Sequence, residues 1–146
     1  MGVFSSMNVA ATGMTAQQLR MDVISENIAN ASTTRTQKGG AYRRKTVVFS
    51  EQDTTSFDHI LNGYLGYYKP NGVKVTQVVE DLSDLRLVYE PDNPDANEEG
   101  YVEYPNVDTV TEMTNLIDSS RAYEANVTAF NAAKSIASKG LELFKG

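Results

Sequence analysis

Methionine and isoleucine recur every seven residues at the start of this chain, at Met7, Met14, Met21 and Ile28. Val3, Ala10, Ile24 and Ala31 fill a second row three residues further on, interrupted only by Gln17. A 3–4 apolar seam held over about four heptads predicts a helix that packs along another helix. This first helical segment is read over residues 1–34. Asn27 and Asn30 then arrive with a run of Ser and Thr. Such side chains bond to nearby backbone and compete with helix, so the helix is expected to end there.

The far end of the chain carries a second seam. Leu116, Tyr123, Phe130, Ala137 and Phe144 recur every seven, with Met113, Val127 and Leu141 in a companion row that Ser120 and Lys134 interrupt. Thr109-Val110-Thr111-Glu112 has the spacing of a capping box, in which hydroxyl and carboxylate satisfy the free N–H groups of the first turn. Alanines at 122, 125, 129, 132 and 133 leave room for a second helix to approach.

Between the seams the pattern is β-like. Tyr42–Phe49 is aromatic and β-branched and follows the breaker Gly39-Gly40. Pro70-Asn71-Gly72 predicts a turn, and Gly72 opens a strand through GVKVTQVVED. Leu85–Tyr89 is a further short strand, with Leu85, Leu87 and Tyr89 alternating against Arg86 and Val88. Tyr101–Tyr104 is another, after the acidic loop 91–100. Asn62-Gly63 suggests a turn in a stretch that is otherwise hard to assign. The fold class expected is α+β. Long terminal helices, 1–34 and 106–146, pair as a coiled coil, and a small β-rich domain, 35–105, is looped out between them.

Composition narrows the function. The chain has 146 residues, one His, no Cys and no Trp, and is 40% hydrophobic, below the ~45–50% usual for globular chains. A modest core and a rod-like helical part fit that figure. The seams contain Ala, Ser, Gln and Lys, so the terminal helices are expected to be marginal alone and to gain from neighbouring subunits. Net charge of −6 argues against nucleic acid as partner. Arg35, Lys38, Arg43, Arg44 and Lys45 form one basic block without an acid, whereas Glu51–Glu103 holds twelve acids. That asymmetry suggests charge-matched protein contacts or, more plainly, a solvated turn beside a solvated face.

Candidate chemistry is thin. The loop Asp92–Gly100 is acidic, but Pro94 and Asn97 occupy positions where a calcium loop needs a ligand and a glycine, so Asx turns are expected instead. The lone His59 has no nucleophile elbow near it, and no phosphate-loop pattern follows Gly39-Gly40. No cofactor, metal or catalytic residue is expected. Met1–Ser6 fits a myristoylation pattern, yet no basic segment follows and Phe4 and Met7 serve the seam, so no direct lipid anchor is expected. No Sec-type signal and no transmembrane run are seen.

Two motifs carry a resemblance. Ser25-Glu26-Asn27-Ile28-Ala29-Asn30-Ala31-Ser32-Thr33-Thr34 resembles the N-terminal signature of bacterial flagellar rod and hook axial proteins. Glu112-Met113, Ile117 and Ser120-Arg121-Ala122-Tyr123-Glu124-Ala125-Asn126 resemble its C-terminal partner motif. Residues 39–45 and 89–102 are most similar to the family's proximal-rod members, and Ser50–Lys69 matches least. The resemblance implies a structural, non-enzymatic subunit of the basal-body rod, the drive shaft that transmits motor torque. It implies export through the flagellar type III channel without a cleaved signal. It also implies helical assembly with itself and other rod proteins, above the inner-membrane ring and export apparatus. The seam and the resemblance together give the expected assembly interface, which comprises Met7, Met14, Met21, Ile24, Asn27, Ile28 and Asn30 of the first helix. On the second helix it comprises Met113, Leu116, Ile117, Arg121, Tyr123, Glu124, Asn126, Val127 and Phe130. The competing readings are another flagellar axial protein, a helical binding module docking through Arg35–Lys45, and a hydrolase using His59.

Overall fold

The computed structural model describes residues 3–52, 61, 63–64 and 71–143. Two long helices, α1 (Val3–Ala29) and α2 (Thr109–Leu143), flank strands β1 (Lys45–Glu51), β2 (Val73–Glu80), β3 (Arg86–Tyr89) and β4 (Tyr101–Tyr104). The expected α+β class holds. The first strand begins three residues later than its composition suggests. His59, Asn62, Pro70 and Phe144 lie outside the described residues. Leu61, Gly63 and Tyr64 are helical, where the sequence suggested a turn.

Helix α1 stops at Ala29, within the Asn-rich stretch that marked its end. Asn30 Nδ2 donates to the Glu26 carbonyl at 2.9 Å, and the Ala31 amide to the Ile28 carbonyl at 3.2 Å. The second satisfies a carbonyl that the last turn leaves free, and the first adds to the Asn30 amide bond already made to Glu26 at 3.1 Å. Helix α2 starts one residue earlier in logic than a Thr109 cap. Asp108 is the cap: its Oδ1 accepts from the Val110 amide at 3.2 Å and its Oδ2 from the Thr111 hydroxyl at 2.5 Å. These bonds hold the Asp108 carboxyl below its ordinary 3.8, the Thr111 hydroxyl contributing most. The Glu112 carboxylate is therefore not a capping group, and its place is described below.

The chain divides into two compact units, each built from pieces of both helices. The first comprises Met1–Gln18, Phe49–Thr76 and Ser120–Gly146. Ala10, Ala16 and Ala133 are its buried apolar side chains among the described residues. Small residues there permit close approach. A Cβ at Gly13 would stand 2.8 Å from Asn126 Oδ1. The Thr12 hydroxyl donates to the Val9 carbonyl at 2.7 Å and accepts from the Val73 amide at 3.2 Å. It also occupies the space a Gly72 side chain would need, and Gly72 has φ +86°. Only glycine meets both conditions at little cost.

The second unit comprises Leu19–Val48 and Gln77–Ser119. Val23, Ile24, Tyr42, Val102 and Pro105 are buried apolar side chains in it. Strands β3 and β4 pair antiparallel, with Leu87 opposite Glu103, Val88 opposite Val102 and Tyr89 opposite Tyr101. In the loop before β4, Asn93 Oδ1 accepts from the Asp95 amide at 3.0 Å. Asn97 Oδ1 accepts from the Glu99 and Tyr101 amides at 3.0 and 2.9 Å. These are the Asx turns expected from the sequence. Among the described residues, the four largest fully buried side chains are Glu112, Val102, Asn27 and Ser119. Three of the four are polar, so hydrogen bonding rather than apolar volume organises this core.

Candidate assembly interface

Asn27 is the centre of that bonding. Its Nδ2 donates to the Lys45 carbonyl and to Glu112 Oε2, both at 2.9 Å. Its Oδ1 accepts from the Lys45 amide and the Tyr42 hydroxyl, again both at 2.9 Å. An amide side chain has two donors and two acceptor sites, so Asn27 is saturated. It is also fully buried. On the other side of Glu112, Arg44 Nε and Nη2 donate to Oε1 at 2.9 and 2.8 Å. Asn115 Nδ2 adds a bond at 3.3 Å. Helix α1, the 42–45 segment and the first turn of α2 thus meet at one buried carboxylate, which the Arg44 guanidinium neutralises. A buried charge left without such partners is strongly unfavourable. Tyr42, 7% exposed, has its hydroxyl pushed up to about 12 by burial first, then by the Glu26, Glu112 and Glu80 carboxylates. It is a neutral donor at neutral pH.

The basic block is largely consumed here. Besides Arg44, Lys45 Nζ donates to Glu26 Oε1 at 2.5 Å. Arg43 Nη1 donates to the Ser83 carbonyl at 3.0 Å, and Arg35 stands 3.7 Å from Asp95. The charge-matched contacts suggested by the sequence are thus made within the chain. Asp81 lies 3.6 Å from Arg44, and its carboxyl is held below 3.8 mainly by the Ser83 amide and hydroxyl.

The implied interface residues separate into two sets. On α1, Ile24 and Asn27 are buried, and Met7, Met14, Met21, Ile28 and Asn30 are half-buried. On α2, Leu116, Tyr123, Asn126, Val127 and Phe130 are half-buried, whereas Arg121 and Glu124 are exposed. Met113 is 54% and Ile117 53% exposed. The most buried positions of α2 are Glu112, Ser119 and Ala133, with half-buried Asn126 completing a seven-residue row. That row is shifted by one residue from the Met113–Val127–Leu141 row that the apolar spacing selects. Opposite it, Val110 (71% exposed), Met113 and Ile117 form an exposed apolar ridge, since residues three and seven apart share a helix face. Apolar periodicity missed Glu112, Ser119, Arg44, Lys45 and Tyr42. A signal was available in the seven-residue spacing of Glu112, Ser119, Asn126 and Ala133.

Both sequence motifs fall inside regions that match known families. Residues 7–36 match the model described as flagella basal body rod protein. Residues 98–143 match that described as flagellar basal body rod FlgEFG protein C-terminal. The chain belongs to the flagellar basal-body rod protein family, whose members are structural subunits of the rod. Over its whole length it is similar to flagellar basal-body rod protein FlgC. The FlgC of Bacillus subtilis is 49% identical, covering 99% of this chain and all of the relative. That of Borreliella burgdorferi is 46% identical, covering both chains completely. That of Escherichia coli O157:H7 is 40% identical over 98% of each.

Proposed function

We propose that this chain is a FlgC-like subunit of the proximal rod, without enzymatic activity, exported without a cleaved signal and assembled with itself and other rod proteins above the inner-membrane ring and export apparatus. One observation carries the reading. Helix α2 hides Glu112 and Ser119 and exposes Val110, Met113 and Ile117. A helix that functioned alone would gain by the opposite arrangement. The exposed ridge is thus a surface awaiting a neighbouring subunit, with Arg121 and Glu124 continuing it along the same helix. Asn27, Asn126 and the half-buried seam residues hold the subunit together instead.

The two terminal helices, 1–34 and 106–146, pair as an antiparallel coiled coil in this reading, with 35–105 outside the pair. Supporting it, Gly13 meets Asn126 and Asn27 meets Glu112. Each partner is displaced by two heptads between the two meetings, in opposite senses along the chain. Contact with no nucleic acid and no lipid anchor is part of the same proposal.

The test is Ile117→Asp in a strain lacking the native copy. Burying the three ridge side chains is worth ~3 kcal/mol per contact at ~25 cal/mol per Å², about a hundredfold in association. The variant should unfold at the same urea concentration as the parent yet be absent from isolated basal bodies, with motility lost. Normal incorporation and swimming would rule out the ridge as an assembly surface.

A further inference from the structure

We propose that the outer face of the β3–β4 hairpin docks a different protein of the rod, one whose contacting surface is apolar and ringed by lysine or arginine; this rests on the rod-subunit reading above. The hairpin is inverted relative to its sequence. Val102, on the inner face, is 1% exposed, whereas Leu87 is 60%, Tyr89 63% and Tyr101 40% exposed on the other. Tyr89 and Tyr101 meet edge to face at 5.3 Å, so the aromatic centre of this face is pre-ordered. Aromatic side chains so held are characteristic interface anchors.

The charge around the face selects the occupant. Glu103 shares it, opposite Leu87, and Asp92, Glu98 and Glu99 are exposed in the loop joining the strands. Among the described residues none of these four carboxylates takes part in an ion pair. Of the cations beside the hairpin, Arg35 lines the same hollow as Tyr101 and Glu103 but stands 3.7 Å from Asp95, and Arg86 belongs to the inner face, 5.3 Å over the Tyr104 ring. A basic complement is therefore required. A second copy supplies it poorly, because every cation of this chain's basic block except Lys38 is engaged with Glu112, Glu26, Asp95 or the Ser83 carbonyl. The remaining cations of the described residues stand singly along the sequence. The apolar patch is on the order of 300 Å², below the ~800 Å² per partner of a stable complex. Docking here adds to other contacts inside the rod and does not hold a pair in dilute solution.

The test places the photo-crosslinking residue p-benzoylphenylalanine at position 89 of the full chain, or at 87 if the first variant fails to assemble, in cells lacking the native copy. Basal bodies are isolated and illuminated, and the adduct peptide is sequenced. The expected adduct is a peptide of another rod protein carrying apolar residues beside two or more Lys or Arg. A Glu99→Lys, Glu103→Lys background should lower its yield about tenfold. An adduct to this chain itself, to an acidic peptide, or none in basal bodies that contain the variant overturns the inference while leaving the rod-subunit reading intact. Absence of the unaltered chain from basal bodies would instead remove that reading and the inference with it.

Discussion

Replacing Asn27 by alanine removes four hydrogen bonds from a fully buried position. Three of the abandoned groups are neutral: the Lys45 amide, the Lys45 carbonyl and the Tyr42 hydroxyl. Each costs ~1 kcal/mol or more when buried without a partner. The fourth is the Glu112 carboxylate, whose bond is charge-assisted and worth ~1.5–3 kcal/mol. Simple addition gives ~4–6 kcal/mol. A water entering the space left by the amide restores part of this, at ~1–2 kcal/mol. The expected loss is therefore ~2–5 kcal/mol, a large share of the ~5–15 kcal/mol that stabilises a domain. The assay is urea unfolding of the purified chain followed by circular dichroism. With a slope of ~1.5 kcal/mol per M, the midpoint should fall by about 2 M. Asn27→Asp sharpens the test. It keeps the shape but sets a second carboxylate against Glu112, which raises the pKa of the pair. The variant should be less destabilised near pH 4.5 than at pH 7, because the raised carboxyl is protonated at the lower pH. An Asn27→Ala loss below ~1 kcal/mol, or no pH dependence for Asn27→Asp, would refute the junction as the organiser of this core.

Tyr42 should titrate near 12. Its folded value is raised, so its contribution is complete below about 10 and is lost as pH rises through about 12. Tyrosinate absorbance at 295 nm should show a late component that Tyr42→Phe diminishes. Gly13→Ala should cost ~1 kcal/mol instead of giving the ~1 kcal/mol that the change yields in an open helix. The new methyl must displace Asn126, whose Nδ2 bonds the Ala122 carbonyl at 2.9 Å. In an Asn126→Ala background the same change should become stabilising by urea midpoint. Asp81 and Asp108 are both held below 3.8, so their contribution is present above about pH 4 and lost as pH falls below it. An Asp81→Asn, Asp108→Asn variant should lose less stability than the parent between pH 6 and pH 3, and equal losses would contradict that assignment.

The sequence by itself determined the elements. Heptad spacing placed both long helices, the Asn-rich stretch ended the first, and β-prone composition, turn signals and alternation located four strands. The Asx turns followed from Asn93 and Asn97, and the two terminal motifs identified the family. All of these depend on residues within a few positions of one another, where periodicity and local bonding decide. Only the tertiary structure decided which faces are inside. Glu112 reads as a capping carboxylate because its near neighbour Thr109 suggests it, yet its partners Asn27 and Arg44 lie 85 and 68 positions away. The buried row of α2 is polar and small because Gly13 and Asn27 on α1 meet it with space and with donors, which no apolar pattern on α2 records. Leu87 and Tyr89 look like core from their alternation, but the hairpin turns Val102 inward instead. Hydrophobicity reports where a side chain can be buried at a profit in free energy; it does not report whether the covering surface belongs to the same chain or to the next subunit.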